Sequence, residues 1–444
     1  MRPGKSDRTT SFAEALQTIA TTELAPDAIR AAKERLLDML GVTLDGLDQP
    51  SSVVAFRSVG PCAGPCTVIG RNTTAAAADA AFVNAVTSHT TGQEDCGGGV
   101  HPGTFVVPVS LALGEQYGRS GKDVLSAIVV GYEAAQRMHT AAAAALYSNK
   151  FRAVPTIGLF GAAASASILS GLNTEQLANA LNFAANMAGG LLESFADGTM
   201  ELHVQAGLAA RGGITAAALA RGGGKTTPRT LDGPYGFFST FGHGRSCDPD
   251  ALTIKTRELG ILSAWSKPFP ACKGNLDTML IIRSLQPVGF APSEIERVVL
   301  SRRHNDYDAP GMLADPPYSN MVQAMISAKF TSVAALLGKP ITDWRYFKES
   351  CRDPDVEEVA AKTSLLVAEN DVEEVTVEVV LKGGATVTMR SSDMADVSWE
   401  TDVRAKFERL AAPRLHGATR NVLDLVANLE SAPDIGRLMK LVRA

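Results

Sequence analysis

Residues 88–108 read S-H-T-T-G-Q-E-D-C-G-G-G-V-H-P-G-T-F-V-V-P, and this polar stretch separates two apolar, alanine-rich segments. Its glycine run, Gly97–Gly99, lacks Cβ atoms, so the backbone there can take positive φ values or approach a ligand closely. Such a run predicts a loop between two helices. Polar loops held by rigid helices commonly carry binding and catalytic residues. The alternative interpretation is a flexible linker with polar side chains.

The loop carries His89, Glu94, Asp95, Cys96 and His101. The proline after His101 fixes its own φ and disfavours helical backbone at the histidine. The sequence therefore predicts an imidazole presented by extended backbone immediately before a helix. The ordinary pKa of a histidine suits proton transfer near neutral pH.

The composition of the whole chain is that of a globular protein with two or three folding units. The 444 residues are 45% hydrophobic and 20% charged, with a net charge of −5, which gives no support for nucleic-acid binding. No apolar run is long enough to span a membrane, and no apolar segment follows the basic N-terminus as in a secretion signal. The six cysteines are sparse. We therefore expect reduced thiols, no structural zinc site and a cytoplasmic protein.

Helical periodicity dominates as far as about residue 250, and the pattern then changes. Ile295–Leu300 reads as a strand, and Glu373–Leu381 and Ala385–Met389 flank Gly383-Gly384 as a hairpin. Helices are predicted between them, at 321–337 and 355–363.

The predicted fold class is mainly α. A large all-helical domain is formed by both chain ends, 1–264 and 396–444, and residues 265–395 form a smaller α+β lid domain. The helical C-terminal segment is expected to pack back on the first domain, which is therefore discontinuous.

Other polar clusters could contribute to a site. They are Lys150 with Arg152, Glu201 with His203 and Gln205, Lys267 with Lys273, and the run 302–304. The alternative for the first two clusters is an ordinary solvated surface, and we interpret the run 302–304 as a solvated strand end. The turn at Lys267-Pro-Phe-Pro is different, because two prolines fix how the lysine is presented.

Phosphate loops, dinucleotide fingerprints, nucleophile elbows and zinc-protease motifs are absent from the sequence. What remains is an acid–base site that needs no cofactor and no metal. It would use a histidine, a lysine and an acid, with Arg or Lys side chains available to bind carboxylates.

Several short motifs follow one another along the chain in a characteristic order. They are T-V-I-G-R at 67–71, A-A-D-A-A-F-V-N-A-V-T-S-H at 77–89, H-P-G at 101–103, G-R-S-G-K-D at 118–123, D-G-P-Y-G-F-F at 232–238, K-P-F-P at 267–270 and A-K-F at 328–330. This order resembles the MmgE/PrpD superfamily, which includes 2-methylcitrate dehydratase, cis-aconitate decarboxylase and iminodisuccinate epimerase. The resemblance implies a helical domain built from both chain ends, an α+β lid domain, an interdomain active site and a homodimer.

The chain departs from the family pattern at several active positions. The D-F-D-D-T-like run of the dehydratases and decarboxylases is here G-Q-E-D-C at 92–96, and the histidine of their F-H-P motif is here Arg152. A family lysine falls near Leu202, and a family tyrosine falls near Ala334. His101 and Lys267 are retained.

These departures favour an epimerase over a lyase. Epimerisation at a carbon α to a carboxylate needs one base and one acid on opposite faces, whereas dehydration or decarboxylation also needs a donor that stabilises the leaving group or an enediolate. By this resemblance we assign catalysis to His101, Lys267 and Asp95. The residues assigned to substrate binding are Glu94, Arg152, His203, Gln205 and Lys273. The expected substrate is an imino- or amino-dicarboxylate such as iminodisuccinate.

Two alternatives remain open. One is a lyase on a citrate- or aconitate-like acid, with Glu94, Asp95 or Lys273 replacing the missing groups. The other is a non-catalytic scaffold descended from such an enzyme.

Overall fold

The structure, a computed structural model, describes the chain in nine ranges. They are 8–60, 63–97, 99–243, 247–254, 258–285, 289–302, 310–367, 374–394 and 401–443. Gly98, Arg303 and His304, which the sequence analysis singled out, lie outside the described residues.

The helices account for most of the described chain. In order they are α1 (Arg8–Thr21), α2 (Pro26–Asp45), α3 (Pro50–Val59), α4 (Ala77–Ser88), α5 (Gly103–Gln116), α6 (Gly121–Ser148), α7 (Ala153–Leu169), α8 (Thr174–Met187), α9 (Glu193–Asp197), α10 (Glu201–Arg221), α11 (Phe237–Gly242), α12 (Leu276–Leu285), α13 (Met321–Ile326), α14 (Ala328–Leu336), α15 (Trp344–Glu349), α16 (Pro354–Ala360), α17 (Val403–Leu415), α18 (Thr419–Ala427) and α19 (Gly436–Leu441).

The chain divides into two compact units. The first comprises Met1–Leu191, His203–Ser266 and Thr401–Ala444, and the second comprises Leu192–Leu202 and Lys267–Glu400. The short segment 192–202 thus belongs to the second unit, although its helical pattern had placed it in the helical domain.

Local sequence signals set several helix starts in the first unit. Ser120 accepts a hydrogen bond from the Asp123 amide, and the Asp123 carboxylate accepts one from the Ser120 amide, so the pair forms a capping box at the start of α6. Asn173 and Gln176 form the same arrangement at the start of α8. Helices α2 and α3 begin with proline, whose missing N–H costs nothing in the first turn.

Small residues let the central helices approach closely. A Cβ added at Gly161 of α7 would lie 2.8 Å from the carbonyl oxygen of Gly131 in α6. No side chain larger than hydrogen fits such a contact without moving the backbone. Glycine at this position therefore lets α6 and α7 pack closely together.

The first unit also contains two short antiparallel ribbons. The prediction that this domain is all-helical is therefore wrong in this detail. Strand β1 (Cys66–Thr67) pairs with β2 (Thr74–Ala75). Strand β3 (Asp95–Cys96) pairs with β4 (Trp265–Ser266), which ties the polar loop to the residue just before Lys267 in the chain. The β-prone residues 66–71 contain β1, whereas the two-residue strands β3 and β4 carry no periodicity from which they could be predicted.

The C-terminal helices complete the first unit. Helix α17 lies against α2 so closely that a Cβ at Gly41 would be 3.4 Å from the Cα of Phe407. Both chain ends therefore build the helical part. The predicted fold class, mainly α with a smaller α+β portion, is confirmed.

The second unit contains a four-stranded sheet of order β6-β5-β7-β8. Its strands are β5 (Ile295–Arg302), β6 (Thr363–Val367), β7 (Thr376–Leu381) and β8 (Thr386–Arg390). The predicted strand is β5, and the predicted hairpin is the antiparallel pair of β7 and β8. Strand β6 pairs with β5 in parallel.

Three features of this unit differ from the sequence interpretation. Strand β6 was not predicted, because the helix predicted at 355–363 extended into its first residue, Thr363. The helix expected at 321–337 is split at Ser327, whose hydroxyl accepts a hydrogen bond from the Phe330 amide and so starts α14. Arg302 is buried rather than solvated.

Within the described ranges, no helix combines the length and the hydropathy needed to cross a membrane.

Candidate active site

The polar loop leaves α4 at His89 and enters α5 at Gly103, and positive-φ glycines shape it. Gly92 has a φ of 67° and Gly99 a φ of 92°. A Cβ at Gly99 would lie 2.7 Å from Nε2 of His139, so the imidazole would have to move, and the positive φ itself favours glycine there. The described parts of the loop, residues 89–97 and 99–102, thus have a defined backbone conformation.

His101 is held through one ring nitrogen. Its Nδ1 lies 2.7 Å from the carbonyl oxygen of Asp95. Because a carbonyl can only accept, Nδ1 carries the proton and the lone pair of the neutral ring is on Nε2. The hydroxyl of Thr104 donates to the His101 carbonyl and fixes the backbone at the entry to α5. This arrangement suits a base that uses Nε2.

Glu94 lies between two histidines. Its Oε1 is 3.3 Å from Nδ1 of His89 and 3.4 Å from Nδ1 of His101, and the carboxylate is buried. The imidazole rings of the two histidines have centroids 5.4 Å apart. A negative charge at this position stabilises a positive charge on His101 after it takes up a proton.

Arg152 joins this cluster from the start of α7. Its Nη2 lies 2.6 Å from Nε2 of His89, and its Nη1 donates to Oε1 of Gln205 at 2.8 Å. Because a guanidinium only donates, His89 accepts on Nε2 and carries its proton on Nδ1. Arg152 is thus hydrogen-bonded to His89, and Nδ1 of His89 lies 3.3 Å from Oε1 of Glu94.

The backbone before Arg152 is strained and well anchored. Lys150 has a φ of 65°, which favours glycine, and the side-chain amide of Asn149 donates to the carbonyls of Phe241 and Gly242. The Arg152 amide donates to Gly190. Arg152 is only 3% exposed, so the solvated-surface alternative fails for this residue.

His203 lies beside the same cluster on α10. Its Nδ1 is 2.9 Å from the hydroxyl of Ser51, and its ring packs edge-on against His89. Burial, and then the electrostatic effects of His89 and Arg152, lower the pKa of His203 to about 3. His203 is therefore neutral near pH 7 and can offer a hydrogen bond but no charge.

Asp95 points away from the histidines. Its carboxylate accepts hydrogen bonds from the Gly103 amide, at 3.1 Å, and from the Tyr132 hydroxyl, at 2.5 Å. It therefore sits at the N-terminus of α5, where a negative charge is favourable. The sequence analysis assigned Asp95 to catalysis, whereas in the structure only its backbone carbonyl contacts His101.

The two lysines assigned from sequence lie in the second unit. Lys267 is buried directly after β4, and Lys273 is exposed at the start of a short 3-10 turn, Lys273–Asn275. Their parts in catalysis and substrate binding stay predictions.

The structure brings together Glu94, His101, Arg152, His203 and Gln205 within the first unit. It adds His89, which is in the quoted stretch but was assigned no role, together with Ser51 and Tyr132. Ser51 and Tyr132 lie in helices far away in sequence, where nothing local distinguishes them from core residues.

Metal binding finds no support in the geometry of the part of the chain that is described. There, no three side chains of His, Cys, Asp or Glu form a group suited to a metal ion.

The buried Asp95 makes a testable contribution to pH-dependent stability. Burial raises the pKa of Asp95 to about 7, against the opposing effects of the Arg35 charge and the Tyr132 hydrogen bond. The unfolded value is about 3.9, so between about pH 4 and 7 the folded state holds more protons. Stability therefore falls as pH rises through that window. Asp95→Asn should reduce this fall by up to about 1.4 kcal/mol per pH unit.

Urea unfolding of both proteins at pH 5, 6 and 7 measures this difference. The exposed Asp424→Asn variant is the matched control and should keep the wild-type pH dependence. An unchanged slope in the Asp95→Asn variant would show that the Asp95 carboxyl does not hold a proton in the folded protein.

The sequence is similar to that of known proteins over most of its length. The sequence model of the MmgE/PrpD N-terminal domain matches residues 10–250. Mouse cis-aconitate decarboxylase is 27% identical over 466 aligned residues, covering 98% of this chain and 93% of that enzyme. Human cis-aconitate decarboxylase is 28% identical over 469 aligned residues, which cover 98% of this chain and 94% of the human enzyme. Cis-aconitate decarboxylase of Aspergillus terreus is 30% identical over 257 residues, covering 55% of this chain and 52% of that enzyme. Because the family model covers more than half of the sequence, the chain belongs to the MmgE/PrpD family.

Proposed function

We propose that this protein is a cofactor-independent epimerase that removes and returns a proton at a carbon next to a carboxylate. Its substrate would be an imino- or amino-dicarboxylate of the iminodisuccinate kind. The observation that carries the proposal is the buried guanidinium of Arg152, held by His89 and Gln205 in the cluster that also contains His101 and Glu94.

The proposed reaction begins with His101. Its Nε2 takes the proton from the α-carbon, and the electrons of the broken C–H bond move into the neighbouring carboxylate as an enediolate. Arg152 stabilises the added negative charge, and Glu94 stabilises the imidazolium that forms on His101. A proton returned on the opposite face completes the inversion, and we assign that step to Lys267 on sequence grounds alone. No electron is gained or lost overall.

The charge of Arg152 favours proton abstraction over loss of carbon dioxide. A guanidinium that pairs with a carboxylate stabilises the charged group. Where Arg152 binds the carboxylate that would depart, decarboxylation must take that group out of the contact as a neutral molecule, whereas enediolate formation at the same carboxylate increases the negative charge beside the cation. The buried guanidinium therefore supports an epimerase more than a decarboxylase.

A lyase is the second candidate, and the relatives favour it. The mouse and human proteins that match nearly the whole chain are cis-aconitate decarboxylases. In that case the substrate would be a tricarboxylate, with Glu94 or Lys273 supplying groups that this chain lacks at the family positions. In either case we propose a homodimer, as the family resemblance implies, and a cytoplasmic enzyme, as the sparse cysteines indicate.

Proton NMR in deuterium oxide separates these functions. The purified protein is incubated with a panel of di- and tricarboxylates that includes the iminodisuccinate stereoisomers and cis-aconitate. We expect the α-hydrogen signal of a dicarboxylate to disappear without any new vinyl signal. A changed vinyl pattern with released carbon dioxide would replace the epimerase proposal by the lyase, and silence across the panel would favour a non-catalytic scaffold.

His101→Asn should lower the exchange rate at least about a hundredfold, the scale for removing a general base. The matched control is His416→Asn, an exposed histidine in the first unit whose positive φ asparagine tolerates well. The control should keep the wild-type rate. Equal rates in the wild type and in the His101→Asn variant would remove His101 from the mechanism.

Arg152→Lys tests the carboxylate contact. Lysine keeps the charge but replaces the rigid planar fork by a single ammonium group, so it cannot bind a carboxylate through two parallel hydrogen bonds. We expect KM for the dicarboxylate to rise about tenfold or more. The exposed Arg30→Lys variant serves as the control. A wild-type KM in the Arg152→Lys variant would mean that Arg152 does not bind the substrate.

A further inference from the structure

Lys406 is a buried cation in the last part of the chain. It lies in α17 and is 4% exposed. Its ammonium group has three partners within the first unit. It lies 2.7 Å from Oδ1 of Asp38 in α2, and it donates to the carbonyl of Gln93 at 2.5 Å and to the hydroxyl of Ser266 at 2.8 Å.

Two of the three partners belong to the segments that carry the site. Gln93 immediately precedes Glu94, the acid between the two histidines. Ser266 pairs with Asp95 in the β3–β4 ribbon, and the Ser266 carbonyl accepts a hydrogen bond from the Thr401 hydroxyl at 2.7 Å. Lys406 therefore contacts the residue before Glu94 directly. It also contacts β4, the strand that pairs with the residue after Glu94.

Stability alone does not explain this arrangement. Burying an ion pair such as Lys406 with Asp38 costs desolvation that the mutual attraction often only offsets, and apolar replacements of buried pairs are commonly neutral or stabilising. The contacts that an apolar side chain could not replace are the two hydrogen bonds to the site segments.

We propose that Lys406 is a positioning residue for the acid–base site. Its ammonium fixes the segment Gln93–Asp95 against α2 and β4, and so keeps the Glu94 carboxylate between His89 and His101. This inference rests on the proposed function, which it deepens, since it assigns a role to a helix residue 305 positions away from His101 in the chain.

The test uses variants that separate position from folding. Lys406→Met alone leaves the buried Asp38 carboxylate without its ammonium and can unfold the protein. The double variant Lys406→Met with Asp38→Asn removes both charges. Lys406→Arg keeps the charge and can still donate to Gln93 and Ser266. Arg404→Met, an exposed residue on the same helix, is the matched control.

Two measurements are made on each variant: amide hydrogen exchange of the peptide covering residues 90–97, and kcat and KM for exchange of the α-hydrogen. In the double variant we expect exchange to rise in that peptide and to stay unchanged in α6 and α7. We expect kcat to fall about tenfold or more with KM within about threefold. Lys406→Arg should recover part of both, and Arg404→Met should match the wild type.

Wild-type loop protection and wild-type kcat in the double variant would overturn the proposal. So would general loss of protection in both the double variant and Lys406→Arg, since Lys406 would then serve the fold as a whole. If the wild-type protein is inactive on every substrate, the proposed function fails, and the exchange of residues 90–97 still decides whether Lys406 fixes the loop.

Discussion

Burial of the polar segment Gln93–Cys96 among alanine-rich helices is the constraint on which the rest of the structure depends. Buried charges and backbone groups are costly unless each finds a partner. Here Lys406 donates to the Gln93 carbonyl, the histidines contact Glu94, and His101 donates to the Asp95 carbonyl. The segment therefore has one backbone path, and the helices around it supply the groups that define that path.

Extended backbone in this segment gives its two neighbouring acids different tasks. Successive side chains of a strand point to opposite faces. Glu94 accordingly faces His89 and His101, whereas Asp95 faces Tyr132 and the start of α5. The Glu94 carboxylate can act electrostatically on the His101 imidazole. The Asp95 carboxylate holds the start of α5, the helix that directly follows His101. The low pKa of His203, caused first by its burial, keeps a further positive charge out of the cluster. Arg152 is then the cation available to a substrate carboxylate in our proposal.

Local signals in the sequence predicted most of the fold. The Gly383-Gly384 turn between alternating strands predicted the β7–β8 hairpin. Long-range pairing could not be predicted in the same way, since β6 joins β5 in parallel and β3 meets β4 across about 170 residues. Neither pairing is accompanied by a turn or a periodicity in the sequence from which it could be predicted.

The candidate site follows the same division. The His101-Pro102 step and the acids beside it were visible because they interrupt a helical pattern. Residues inside helices, such as Tyr132 and Lys406, have ordinary helical neighbours, and only the folded chain shows that they reach the loop. The sequence predicted a catalytic role for Asp95. It could not predict that this side chain faces Tyr132 and the start of α5, because β3 is too short to recognise.

The tautomer of His101 tests the central claim most directly, because the whole arrangement serves to leave its Nε2 as the base. The chain has seven histidines, so nitrogen-15 NMR of the histidine side chains, with His101→Asn to assign the signal, can resolve this ring. The account predicts a neutral His101 ring near pH 8 with the proton on Nδ1, held by the Asp95 carbonyl. A proton on Nε2 would contradict it, since the ring could not then take a proton from the substrate in the way proposed.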